Sequence, residues 1–150
     1  MDVSISVQKE LIDTAAIEKS ISESSSKVGA VVSFSGLVRD FNDSGDILGL
    51  ELEHYPGMTE KSLENIVAQA NERWDLIAAS VCHRIGKIWN SEIIVHVSVA
   101  SQHRKQAFEA CEFIMDYLKT DAPFWKKELS KNGDVWVEAK ASDGDARGRW

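Results

Sequence analysis

The chain has few cysteines, and this scarcity excludes several kinds of protein. Only two of its 150 residues are cysteines, Cys82 and Cys111. Their separation matches no zinc-ligand spacing, and a single pair provides no disulfide framework. Each falls on an apolar pattern, so we predict that both are core side chains rather than nucleophiles. Reduced cysteines are typical of a reducing compartment, and the sequence therefore predicts a cytoplasmic protein.

Long hydrophobic runs and an excess of basic residues are also missing. No apolar stretch approaches the roughly 18 residues that cross a membrane, and the first residues, MDVSISVQKE, do not resemble a secretory signal. With 17 basic and 24 acidic residues, the formal net charge is -7, which argues against a nucleic-acid-binding protein. The sequence therefore predicts no membrane and no nucleic-acid partner, and any local basic cluster becomes informative.

The spacing of apolar residues indicates mixed helices and strands. We predict strands at 3–7, 30–38, 47–54, 77–85, 92–100 and 135–139, and helices at 9–21, 59–74 and 101–119. The strands 30–38 and 47–54 are expected to form a hairpin, with Leu48, Leu50 and Leu52 on one side. Ser101 is expected to cap the last helix, with Phe108 on its buried side. Short strand connections favour antiparallel pairing. The predicted fold class is therefore α+β, with helices packed on a largely antiparallel sheet in a single domain of residues 1–150.

The most informative segment runs from Phe113 to Glu128 and reads FIMDYLKTDAPFWKKE. It places Lys119 at the end of an apolar helix pattern and Lys126 just after a Pro-Phe-Trp turn. Burial among apolar neighbours disfavours an ammonium group and prepares a lysine for nucleophilic or acid–base chemistry. Both lysines are therefore candidate catalytic residues. Spacing alone leaves an alternative, in which one lysine interacts with the helix dipole and the other lies in a surface loop.

Three further basic residues suggest that an anion binds. His103 and Arg104 fall in the first turn of the long helix, where free N–H groups favour a phosphate or carboxylate. The helix dipole disfavours a cation there, so a bound anion would explain the pair. Two solvated side chains are the alternative. Arg39 follows an apolar strand, where it could hold an anion or pair with Asp40. The residues alone predict a phosphorylated or carboxylated substrate.

The remaining histidines show no catalytic arrangement. His54, His83 and His96 fall on strand patterns without metal-site spacing, and we interpret each as a structural or surface histidine. The sequence has no Ser-His-Asp order, no phosphate-binding glycine loop and no dinucleotide fingerprint. The chemistry is therefore expected to depend on lysine and arginine and not on a metal.

Several segments, taken together, match one known family. They are Phe34 with Gly36 and Val38-Arg39, LELEHYPGMTEK at 50–61, HRIG at 83–86, FIMDYLKT at 113–120 and APFWKKE at 122–128. In these segments the chain resembles the large, catalytic subunits of molybdopterin synthases. The resemblance extends from about residue 29 to residue 150, and it implies an α/β-hammerhead-like arrangement of the α+β fold.

The resemblance also implies a sulfur-transfer reaction. Such subunits bind a small ubiquitin-like partner whose Gly-Gly C-terminus carries a thiocarboxylate. Two sulfur atoms pass in turn to cyclic pyranopterin monophosphate, which forms the dithiolene of molybdopterin in molybdenum cofactor biosynthesis. Because the sulfur arrives on the partner, the resemblance implies no cofactor and no cysteine nucleophile in this chain. The implied assembly is a homodimer at the centre of a heterotetramer.

Residue roles follow from the resemblance position by position. Lys119 matches the lysine beside the partner's thiocarboxylate, and Lys126 matches a second essential lysine suited to acid–base work or to stabilising negative charge. The other matched positions are implied to bind substrate: Arg39, His103, Arg104, Phe34, Met115, Leu37, Val38, Lys127, Glu128 and Lys140. Leu37 stands where relatives can have a basic residue. Lys140 stands where an arginine can occur, and a lysine lacks arginine's bidentate fork.

Helix geometry adds a constraint on the site. Arg104 and Lys119 lie on one predicted helix, about 22 Å apart along its axis at ~1.5 Å per residue. An unbroken helix cannot easily bring both to one small-molecule site. We therefore predict a homodimer in which His103 and Arg104 of one subunit complete the site around Lys119 of the other. Two alternatives differ in class: a docking module without chemistry, and a Schiff-base lysine enzyme acting on a phosphorylated carbonyl compound.

Overall fold

The structure, a computed structural model, describes residues 1–40, 45–137, 141–148 and 150. Its elements in chain order are β1 (Asp2–Gln8), α1 (Thr14–Ser22), β2 (Ala30–Leu37), β3 (Ile47–His54), α2 (Met58–Arg73), β4 (Leu76–Arg84), β5 (Gly86–Trp89), β6 (Ile93–Ser101), α3 (Arg104–Asp121), β7 (Phe124–Ser130), β8 (Val135–Val137) and α4 (Ala141–Gly148). The strands form two sheets, in the orders β1-β4-β6-β2 and β5-β3-β7-β8. Among the described strand pairs, β1 and β4 are parallel and the others are antiparallel. The predicted α+β class is confirmed, with two sheets instead of one.

The main core lies between one face of the first sheet and the helices α2 and α3. Alternating residues of the central strands, including Val81 and Val97, are almost completely buried. Leu63 and Ile66 of α2 and Phe113 of α3 close this core from the helical side. Burial of each such side chain contributes roughly 1.5–3 kcal/mol to folding. The core therefore fixes α3, the helix that carries Arg104, Met115 and Lys119, against the sheet.

Helix α3 is unbroken from Arg104 to Asp121, as predicted. Two details of the prediction are wrong. His103 is the N-cap, because Ser101 still belongs to β6 and its hydroxyl donates to the Asp75 carbonyl oxygen. Phe108 is 60% exposed, because the helix buries the side that carries Phe113. No helix among the described residues is long and apolar enough to cross a membrane.

The hairpin predicted between residues 30–38 and 47–54 is also wrong, because the two strands belong to different sheets. β2 pairs with β6, whereas β3 lies between β5 and β7. The segment around WKKE, interpreted as a loop, forms β7 and takes the position beside β3. A register irregularity between Ile47 and Gly49 removes Leu48 from the alternation. Leu48 is therefore 42% exposed, while Leu50 and Leu52 are buried.

β5 and α4 were not predicted from the sequence. β5 begins at Gly86, whose φ of +77° is readily adopted only by glycine, and the chain crosses there from the first sheet to the second. α4 packs on α3, where Arg147 forms an ion pair with Asp121 and stacks over the Tyr117 ring. The crossing at Gly86 matters for function, because it places the end of β4 between the two sheets.

Candidate functional site

Strand β7 brings Lys126 to the core side of the second sheet. The register pairs Lys126 with Leu52 and Glu128 with Leu50. Directly paired residues share a face of a sheet, so both charged side chains lie on the face of the buried leucines. Lys126 is half-buried as a result. The expected burial among apolar residues is therefore found at this lysine, although on a strand and not in a loop.

Lys127 lies on the opposite face of the same sheet. It pairs with Glu51 of β3 and Trp136 of β8. Its ammonium nitrogen is 5.4 Å from the centroid of the Trp136 ring, a cation–π contact. Lys127 and Lys126 thus lie on opposite faces of the sheet. The position of Lys127 does not support its predicted role in substrate binding beside Lys126.

Lys119 is exposed in the last turn of α3. The expectation that apolar neighbours bury it is wrong, because the buried stripe of the helix ends at Leu118. An exposed ammonium group at this position is open to another molecule. Lys119 therefore differs from Lys126 in being accessible at the surface.

The charges of both lysines act on one buried histidine. His83 is the last but one residue of β4, next to the crossing between the sheets, and is 5% exposed. Burial lowers the pKa of His83 to about 3, and the charges of Lys119 and Lys126 act in the same direction. Both ammonium groups are therefore close enough to the imidazole to act on it. The interpretation of His83 as a structural histidine agrees with its burial and its hydrogen bond to the Arg84 carbonyl oxygen, but its position near both lysines was not predicted from the sequence.

The predicted apolar walls divide into buried and exposed residues. Met115 and Val38 belong to the main core. The backbone of Val38 is fixed by hydrogen bonds, its N–H donating to the Glu92 carbonyl and its carbonyl accepting from the Ser91 N–H. Phe34 and Leu37 of β2 are 41% and 51% exposed. Arg39 follows them and is exposed as well.

His103 and Arg104 are not brought to the lysines within one chain. Both are exposed at the N-terminal end of α3, whereas Lys119 lies in its last turn. The helix is continuous, so about 22 Å of axis separates Arg104 from Lys119. Of the other predicted site residues, Lys140 lies outside the described residues, as do positions 41–44, which come shortly after Arg39 in the sequence.

Both cysteines are buried and free, which confirms their prediction as core residues. Burial raises the pKa of the Cys82 thiol. Burial also raises the pKa of Cys111 to about 12, with a smaller contribution from the charge of Glu112. A thiol is nucleophilic only as the thiolate, so neither cysteine is prepared for nucleophilic attack at neutral pH.

Acid is expected to destabilise the protein through His83. Its pKa is about 3 in the folded state and about 6.5 when unfolded. The unfolded chain therefore binds the proton more tightly, and stability is lost as the pH falls below 6.5. Between pH 7 and pH 5 this loss is about 2 kcal/mol for His83. Urea unfolding at the two pH values measures it.

The control for this prediction is the His83→Gln variant, which has no imidazole at this position. Its free energy of unfolding should fall by about 2 kcal/mol less between pH 7 and pH 5 than that of the wild type. Other titrating groups, including the buried His96, are the same in both proteins and cancel in the comparison. An equal fall in both proteins would contradict the assignment of a neutral, buried His83.

The described residues thus form an α+β protein in which two lysines lie near a buried neutral histidine and both thiols are buried. Comparison with known proteins identifies which one. The family model described as MoaE protein matches residues 7–121, which is more than half of the chain. The chain belongs to this family, the catalytic subunits of molybdopterin synthase.

Individual relatives agree along nearly the whole sequence. The molybdopterin synthase catalytic subunit of Ralstonia nicotianae is 53% identical over 146 residues, which cover 97% of this chain and 83% of the relative. The solved structure of the molybdopterin biosynthesis MoaE protein from Burkholderia ambifaria has a TM-score of 0.85 and 44% identity, covering 100% of this chain and 98% of that one. The chain is thus a sulfurtransferase of molybdenum cofactor biosynthesis, which confirms the predicted function.

A more distant structure concerns the assembly. It is a protein–protein complex of subunits 1 and 2 of the molybdopterin-converting factor from Helicobacter pylori, with a TM-score of 0.74, 23% identity, and coverage of 92% of this chain and 91% of that one. At 23% identity, the similarity between the two chains concerns the fold alone. It shows that a protein of this fold is found in a complex of two different subunits.

Proposed function

We propose that this chain transfers sulfur from the C-terminal thiocarboxylate of a small ubiquitin-like subunit to cyclic pyranopterin monophosphate, at a site built on Lys119 and Lys126. The observation that carries the proposal is that, in a member of this family, Lys126 lies on the buried face of β7, the strand whose Phe124 stacks on His83. The charge of Lys119 acts on the same histidine. The two buried, protonated thiols support a sulfur source outside the chain. The cytoplasmic location expected from the sequence belongs to the same proposal.

The different exposure of the two lysines suggests different roles. Lys119 is open at the surface, where the partner's flexible C-terminal tail can reach it. Each transfer replaces a carbon–oxygen bond of the pterin with a carbon–sulfur bond. The carbon–sulfur bond of the thiocarboxylate is broken, its acyl carbon gains oxygen in exchange, and the partner is left with a C-terminal carboxylate. Lys126 is half-buried, where an ammonium group stabilises developing negative charge more strongly than it does in water. Glu128 shares the face of Lys126 and belongs to the proposed pocket.

The anion pocket requires a second copy of the chain. Arg104, Phe108, Glu112 and Lys119 are all exposed and lie on one side of α3. If two α3 helices pack antiparallel about a two-fold axis, Arg104 of one subunit lies opposite Lys119 of the other. Phe108, at 60% exposure, then lies within the contact and loses its contact with water.

Within such a dimer, His103 and Arg104 of one subunit would bind the substrate phosphate near the lysines of the other. Arg39 from the lysine-bearing subunit would add a bidentate contact. Phe34, Leu37, Val38 and Met115 would form the apolar walls, of which the first two are exposed on β2. One small subunit on each side of the homodimer would make the heterotetramer.

Reconstitution tests the proposed function. The purified chain is incubated with cyclic pyranopterin monophosphate and a small subunit carrying the thiocarboxylate, and dithiolene formation is followed. We expect product with the thiocarboxylate and none with the same subunit ending in an ordinary carboxylate. A folded complex that yields no dithiolene would contradict the proposal.

A further inference from the structure

His83 has a fixed position and a fixed tautomer. Its Nδ1 atom is 2.8 Å from the carbonyl oxygen of Arg84. A carbonyl oxygen only accepts hydrogen bonds, so the proton of the neutral imidazole is on Nδ1. Nε2 is then unprotonated, and its lone pair is an acceptor. His83 is thus an uncharged side chain that can accept a hydrogen bond at Nε2.

The ring of His83 is held by the same strand that carries Lys126. It stacks on Phe124 with a centroid distance of 4.0 Å and an interplanar angle of 22°. Phe124 precedes Lys126 by two residues on β7, so the two side chains share a face. Thr59 of α2 fixes the start of this strand, because its hydroxyl donates to the carbonyl oxygen of Pro123. The imidazole is therefore locked beside the lysines by three elements.

A neutral acceptor suits a site that must bind anions. Glu128 already places one carboxylate on the face of Lys126, and a second one in the position of His83 would cancel more of the positive charge of the lysines. A protonated histidine would add a third cation and could accept no hydrogen bond. A neutral imidazole can orient an ammonium group without cancelling any of the positive charge that binds a thiocarboxylate or phosphate.

We propose that His83 is a positioning residue of the sulfur-transfer site, whose Nε2 lone pair accepts a hydrogen bond from a lysine ammonium group in the loaded enzyme. The inference rests on the proposed function, and it goes further in assigning the orientation of the lysines to a side chain that is itself buried. Because the proposed hydrogen bond uses only Nε2, a variant that changes this atom alone can distinguish positioning of the lysines from a purely structural role.

Two amide variants distinguish the contribution of Nε2 from that of Nδ1. The amide of His83→Gln reaches the position of Nε2 and retains an acceptor there. The amide of His83→Asn reaches only the position of Nδ1, where it can still donate to the Arg84 carbonyl. We expect His83→Gln to keep kcat within about 3-fold of wild type, and His83→Asn to lower kcat by about 10- to 100-fold, the effect of one lost hydrogen bond to a charged group. The KM for the small subunit should stay unchanged in both.

Three outcomes would overturn the inference. They are equal kcat in both variants, a lower kcat in His83→Gln than in His83→Asn, and a change confined to KM. Thermal unfolding of both variants checks that each is folded. If either is not, nitrogen NMR of the wild-type complex decides. The resonance of an unprotonated Nε2 should move when Lys119→Ala or Lys126→Ala is introduced, and a resonance unmoved by both changes would overturn the inference. A wild-type enzyme without activity would instead refute the proposed function.

Discussion

Replacing Lys119 with alanine is expected to lower the rate of dithiolene formation by at least about 100-fold. The proposed site uses the Lys119 ammonium group at the partner's thiocarboxylate, and no other described side chain of the last turn of α3 is basic. Because Lys119 is exposed, its loss should change the free energy of unfolding by less than about 1 kcal/mol. Single-turnover assays and urea unfolding measure the two effects separately.

Lys19 provides a matched control for this variant. It is also an exposed lysine in the last turn of a helix, α1. Lys19→Ala removes the same charge and the same interaction with a helix dipole, but it should leave the rate unchanged. If Lys119→Ala retained activity comparable to that of Lys19→Ala, Lys119 would have no part in the reaction, and the docking-module alternative would gain support.

Mixing two inactive variants is expected to restore activity. An Arg104→Ala chain keeps its own lysines, and a Lys119→Ala chain can supply Arg104 across the dimer. Each mixed dimer then contains one intact composite site. Random exchange of subunits should recover about a quarter of wild-type activity, because half of the dimers are mixed and each has one of two sites intact. Activity measured after exchange, with the fraction of mixed dimers determined independently, tests the prediction.

A second mixture controls for unspecific recovery. Lys119 and Lys126 both act on His83 of their own chain, so a Lys119→Ala chain and a Lys126→Ala chain cannot complete each other. That mixture should stay inactive. Recovery in both mixtures, or in neither despite confirmed mixed dimers, would be incompatible with a pocket shared between Arg104 of one subunit and Lys119 of the other.

The periodic parts of the fold could be predicted from the sequence. The apolar spacing of α2 and α3 is regular over several turns, so both helices and the separation between Arg104 and Lys119 were correctly predicted. The segment that became β7 was misread, because Pro123 and two aromatic residues indicate a turn as readily as a strand. Its strand character depends on pairing with β3, which local sequence does not contain.

The candidate site could be predicted only in part, because the contacts between its residues depend on pairing between distant strands. Lys119 and Lys126 could be selected by their neighbours in sequence, and the family resemblance gave them roles. Their relation to His83 depends on the crossing at Gly86, which brings the end of the first sheet to the second. The strand pattern around His83 does not indicate that the chain crosses between the sheets there. The separation of Lys126 from Lys127 likewise follows from the register of β7 and not from their adjacency.

The central claim is that sulfur passes from the partner to the pterin at the lysine site, without residence on this chain. The most direct measurement is reconstitution with a small subunit whose thiocarboxylate carries an isotopic sulfur label, followed by mass spectrometry of product and protein. Both sulfur atoms of the dithiolene should carry the label, and Cys82 and Cys111 should carry none. Label recovered on either cysteine, or unlabelled sulfur in the product, would contradict the account.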